Sequence, residues 1–87
     1  SMSDENDAEG SETLRKKAVK LLESNRVKKE LETDRRIHFS VQGETEEHSV
    51  IYDKLKDEWV CDCRYWSLRQ KTCSHIIAAQ LQWKRRE

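Results

Sequence analysis

The stretch Cys61-Asp62-Cys63-Arg64-Tyr65-Trp66-Ser67-Leu68-Arg69-Gln70-Lys71-Thr72-Cys73-Ser74-His75 decides the reading of this chain. It holds all three cysteines of the 87-residue sequence and one of its three histidines. Three thiolates and an imidazole make a complete tetrahedral set for zinc, and a filled shell has no open position for water or substrate. Cys61, Cys63, Cys73 and His75 are therefore the predicted ligands of one structural Zn2+. The inference points to a binding module rather than an enzyme. Unlinked buried thiols, a redox dithiol at Cys61/Cys63 and an iron–sulfur cluster remain open, although Cys3His at such short spacings suits zinc better.

Spacing also constrains the backbone around the metal. On a strand, Cys61 and Cys63 point to one face, and their sulfurs converge if the strand end curls. Two residues apart on a helix is about 200°, so Cys73 and His75 cannot both sit inside one. Cys73 is expected just before a helix, with Ser74 or Thr72 as its cap and His75 in its first turn. The nine residues Arg64 to Thr72 are expected to form a loop.

Working outward, residues 74–86 place Ile76, Ala79 and Trp83, with Ile77 and Leu81, on one broad side of a C-terminal helix. Lys84, Arg85 and Arg86 at its end complement the negative helix pole. Upstream the period is two. Arg36 to Gln42 alternates Ile37, Phe39 and Val41 with polar residues, and His38 and His48 are expected to face solvent. Val27 to Glu32, His48 to Asp53, and a segment carrying Trp59, Cys61 and Cys63 on one face complete the strands. Turns are expected at residues 42–47, which contain Gly43, and at residues 54–57. Short connections favour antiparallel pairing. Leu14, Ala18, Leu21 and Leu22 form the apolar stripe of an N-terminal helix over residues 11–24, with Ser11 as cap. The fold class is α+β: an N-terminal helix, a small antiparallel sheet of three or four strands, and a C-terminal helix pinned by zinc.

Residues 1–10 carry four acidic and no basic residues and are expected to be a disordered acidic tail. Residues 11–87 are expected to form a single domain. With hydrophobic residues at only 34%, a core of this size needs a staple. Odd cysteine number argues against a disulfide framework, and clustered Cys and His suit a reducing, intracellular compartment: cytoplasmic in a prokaryote, nuclear in a eukaryote. No apolar run long enough to span a bilayer is present, and no membrane partner or small-molecule substrate is expected.

The net charge of zero hides segregation. Residues 11–37 carry nine basic and five acidic side chains, and residues 61–87 six and two, so both regions are +4. Arg64, Tyr65, Trp66, Arg69 and Lys71 interleave aromatics with cations, a pattern that can stack on bases while holding phosphates. Lys28, Lys29, Lys84, Arg85 and Arg86 could extend such a face if the fold aligned them, as could Arg35 and Arg36. The competing expectation is that Trp66 or Tyr65 folds over the metal and that Trp59 and Trp83 belong to the core. No Gly-rich phosphate loop, nucleophile motif or deaminase pattern occurs, so no catalytic residue is expected.

Cys-x-Cys, a variable loop, then Cys-x-His resembles the signature of the SWIM zinc finger, and Cys61, Cys63, Cys73 and His75 match its four ligand positions. Ile76, Ile77, Ala78 and Ala79 are similar to the start of the helix that follows that motif. Arg15 to Lys29 resembles the N-terminal part of small stand-alone archaeal SWIM proteins. The resemblance implies a ββα zinc core and a role in contacting nucleic acid or a DNA-processing protein. It also implies an alternative role as a protein–protein adaptor, for example to a RecA-family recombinase paralogue. Other members sit in transposases, chromatin remodellers and ubiquitin ligases, whose catalytic domains have no counterpart in these 87 residues. A thiol/zinc redox switch is a further alternative, because thiolate ligands can release metal on oxidation.

Overall fold

A computed structural model of the chain describes residues 2–85 and the side chains of residues 12–85. The elements follow the order α1 (Met2–Glu23), β1 (Val27–Glu32), β2 (Arg36–Gln42), β3 (Glu47–Asp53), β4 (Glu58–Cys61), α2 (Arg64–Arg69) and α3 (Ser74–Arg85). Helix α1 begins at Met2, so Ser11 lies inside it and is not its cap. Residues 2–10 of the expected disordered tail belong to the same helix, whose acidic residues suit the positive N-terminal pole. The contact assigned to Arg86 lies outside the described residues.

Helix α1 ends at Glu23, one residue short of the expected limit at residue 24. Asn25 takes the left-handed conformation at φ 59, the Asn25 N–H reaches the Leu22 carbonyl, and the Arg26 N–H reaches that of Leu21. This paired closure is a Schellman cap, in which asparagine is an accepted substitute for glycine.

The four strands form one antiparallel meander in the order β1-β2-β3-β4. Register places Val41 opposite His48, Phe39 opposite Val50 and Ile37 opposite Tyr52. Cys61 pairs with Val50 and Trp59 with Tyr52 on the next strand. Because side chains alternate, these residues share one face, and α3 packs across it. Phe39, Tyr52, Trp59 and Trp83 form an aromatic cluster there, with Tyr52 and Trp59 stacked at 4.4 Å between ring centroids. Trp59 and Trp83 thus belong to the core edge, as expected.

Helix α1 packs on α3 rather than on the sheet. This explains a residue the single-stripe reading of α3 did not assign. Ala78 points away from the Ile76 side yet is fully buried, as is Ala18 of α1. A helix covered by the sheet on one side and α1 on another needs small residues where the second helix approaches.

Two backbone expectations are corrected. The fourth strand ends at Cys61, so Cys63 is not a strand residue. The segment expected as a loop over residues 64–72 contains the six-residue helix α2. Both follow from Cys63 acting as the N-cap of α2: its extended backbone (φ −73, ψ 159) turns the chain, and its sulfur accepts the Trp66 N–H.

An exposed ion network ties the ends of β1 and β3. Glu32 receives hydrogen bonds from Lys29 and Lys54 at 2.8 and 2.7 Å. These two ammonium groups hold its carboxyl down at about 2. A depressed carboxyl favours the folded state above its unfolded value near 4.5 and loses that contribution as pH falls toward 2. A carbon-13 NMR titration of the Glu32 carboxyl should give a midpoint near 2, and Lys54→Met should raise it; an unshifted midpoint would refute the network.

Candidate metal centre

The three cysteines are buried, and the four ligand atoms of Cys61, Cys63, Cys73 and His75 lie within 4.8 Å of one another. Each comes from a different piece of backbone. Cys61 ends β4, Cys63 caps α2, Cys73 immediately precedes α3, and His75 lies in the first turn of α3. The Ile77 N–H bonds the Cys73 carbonyl at 3.1 Å, which makes Cys73 itself the cap of α3 rather than Ser74 or Thr72.

The donor set fits zinc. Zn–S bonds of about 2.3 Å in a tetrahedron set sulfurs about 3.8 Å apart, so closing the observed spread needs adjustments of about 1 Å at most. The His75 Nδ1 faces the Cys61 sulfur at 3.8 Å, which identifies it as the donor nitrogen. Backbone donors already serve the sulfurs: Cys63 N–H to Cys61 and Trp66 N–H to Cys63, both at 3.4 Å. Three thiolates on a divalent ion leave about one net negative charge, and such N–H groups help to offset it.

The thiols hold protons unequally. Cys73 sits well below the usual thiol range because Cys61 hydrogen-bonds to it, with His75 and the Ile76 N–H adding to the effect. Cys61 is pushed up by the same contact and by burial, and Cys63 chiefly by burial. A cation is what allows all three to be ionised together. These four side chains form a site for one zinc ion, whose charge would stabilise the thiolates while its bonds clamp β4 to α3.

His48 corrects another expectation. It is half-buried, not solvent-facing, and its ring lies 4.4 Å from the His75 ring. Asp62, between two ligands, accepts the Ser49 N–H at 3.1 Å and lies 3.1 Å from His48 Nδ1. His48 pairs with Val41 in the register, so it points to the core face at the sheet end where the metal site lies. Strand alternation alone could have placed it there, had the phase been taken from Val50 and Tyr52.

Beside the metal site, an open groove runs between α1, the β2–β3 hairpin and the start of α2. Its walls include Lys17, Lys20, Arg26, Arg64 and Tyr65, with Glu44 and Glu46 on the hairpin side. Of the contact residues proposed from sequence, Arg64 and Tyr65 line this groove. Trp66 is half-buried against the core, and Arg69 lies over the Tyr65 ring at 5.3 Å. Lys71 sits exposed between α2 and α3. Lys28 and Lys29 lie on β1, where Lys29 is paired with Glu32. Lys84 and Arg85 lie at the far end of α3, next to the Trp83–Tyr52 contact. The groove instead recruits Lys17, Lys20 and Arg26, whose approach to Arg64 depends on α1 docking on α3 and has no local sequence signal.

No helix among the described residues is long and apolar enough to cross a membrane. No curated protein and no solved structure matches the chain. The SWIM zinc-finger family model matches residues 39–84, more than half of the sequence, and takes in the second half of β2, all of β3, β4 and α2, all four ligands and nearly all of α3. With the Cys3His cluster assembled at the strand–helix junction, the chain belongs to the SWIM zinc-finger family and is a zinc-binding module.

Proposed function

We propose that this zinc-binding module contacts single-stranded nucleic acid through the groove beside the metal. The observation that carries the reading is the joint presence of Lys17, Lys20, Arg26 and Arg64 with the exposed ring of Tyr65. Cations spaced along a groove track phosphates, and an aromatic face accepts a base without regard to its identity. Arg26 is held in place by a hydrogen bond to the Gly43 carbonyl at 3.4 Å, so its position is prepared. Zinc fixes the wall that carries Arg64 and Tyr65. The reading assigns zinc an architectural role and no catalytic one. Three thiolate ligands suit a reducing compartment, consistent with work inside the cell.

A salt series with single- and double-stranded oligonucleotides tests this. Four phosphate contacts on a single strand give a log–log slope of about −3. The double variant Lys20→Ala/Arg64→Ala should halve that slope approximately while keeping one bound zinc. Absence of binding at low salt would refute the reading. It would favour the adaptor role, for which Leu68, 72% exposed on α2 beside Tyr65, supplies an apolar contact.

A further inference from the structure

The sheet has two faces, and α3 covers one of them. Across the other, the register lines up Leu31 (β1), His38 (β2), Ile51 (β3) and Val60 (β4) in a single cross-strand row. Leu31 joins this row because the ladder shifts between Lys29 and Leu31, a bulge that turns an apolar side chain to the outer face. Leu31 is 54% and Val60 37% exposed, so the row meets solvent at both edges. The flanking row carries Arg36 on β2, Asp53 on β3 and Glu58 on β4, placing its positive charge on the β2 side and its negative charge on the β4 side. Within the chain Asp53 already lies 3.9 Å from Arg36 and 3.2 Å from Arg35, so a second copy would extend this ion network and not create it.

We infer that this outer face pairs with the same face of a second copy of the chain. The distribution of charge selects the symmetry. A two-fold axis parallel to the strands, between β2 and β3, keeps each row on itself and reverses strand order. Leu31 then faces Val60 of the second copy, His38 faces Ile51, and Arg36 faces Asp53, each contact occurring twice. The other in-plane axis, perpendicular to the strands, keeps each strand on itself, which removes the Arg36–Asp53 match and brings Glu58 toward Asp62, two carboxylates. Self-complementarity of this kind is what an isologous interface requires.

The size of the face sets the strength. Four strands about 4.8 Å apart, over about five residues of 3.4 Å, give roughly 330 Å² per copy. This is under half the ~800 Å² per partner of a standard stable interface, so the pairing is reversible. It leaves the groove by the zinc site open in both copies, because that groove lies on the helical side of the sheet.

Sedimentation equilibrium of the zinc-loaded protein from about 10 μM to 1 mM tests the inference across the affinity range of weak complexes. A monomer–dimer equilibrium is expected. Leu31→Glu and Val60→Lys, each at an exposed position, should separately weaken it about tenfold. An equimolar mixture of the two variants should regain association as a heterodimer, since the new glutamate faces the new lysine. A monomer at every concentration overturns the inference. So does a dimer insensitive to both variants, or one that the mixture fails to restore. Circular dichroism and zinc content, unchanged in both variants, separate lost pairing from lost folding.

Discussion

Removing one zinc ligand should cost the chain its metal and then its C-terminal half. Cys73→Ser and His75→Ala are each expected to drop the zinc content from one equivalent toward zero in native mass spectrometry. Chelation of the unaltered protein should do the same. Structural zinc contributes roughly 10–16 kcal/mol of apparent binding free energy in small fingers, more than a core of this size supplies on its own. The physical route is visible in the site. Cys61 is held up as a thiol by its contact with Cys73 and by burial, and Cys63 chiefly by burial, so without the ion these two keep their protons and the site loses its clamp. The clamp joins β4 to α3, and α3 in turn is the platform for α1. Loss of metal should therefore propagate to far-ultraviolet helical signal and not stay local. Retention of zinc by His75→Ala would mean an open site and would overturn the structural assignment.

The second large effect lies in the core of the sheet, in the cross-strand row that also carries Val50 and Cys61. Phe39 is 2% exposed and stacks with Trp59 at 5.8 Å between centroids. Replacing it by alanine removes most of a ring from a closed packing and should cost about 3–5 kcal/mol. That is comparable to the whole net stability a core of this size provides. Denaturant unfolding of the zinc-loaded variant should show a much lower midpoint, with altered tryptophan emission because Trp59 and Trp83 lose their packing. The ligands come from other residues, so zinc binding should survive, weakened by the folding penalty it must now offset. A midpoint equal to that of the unaltered protein would show that the cluster carries little of the fold.

Much of this architecture is legible along the chain because its signals are local. Alternation in Arg36–Gln42 and the apolar spacing in α3 depend only on backbone period. The ligand set follows from donor chemistry and spacing. The less legible features come from competition between local preferences. Cys63 continues the strand alternation of Trp59 and Cys61, yet the zinc shell needs its sulfur turned inward, and serving as helix cap satisfies both its backbone and its neighbour Trp66. Arg64 to Arg69 then becomes helical because that cap starts it, although no apolar stripe advertises a helix there.

The sequence by itself determined the fold class, the four zinc ligands and the family resemblance, since each rests on residue type at fixed short spacing. Only the tertiary structure decided which cations gather beside the metal, why Ala78 and Ala18 are buried, and that His48 lies against His75. It also decided that Leu31, His38, Ile51 and Val60 form one row. The reason is that each of these depends on register, on a bulge or on helix docking, and those are fixed by contacts between residues far apart in the chain.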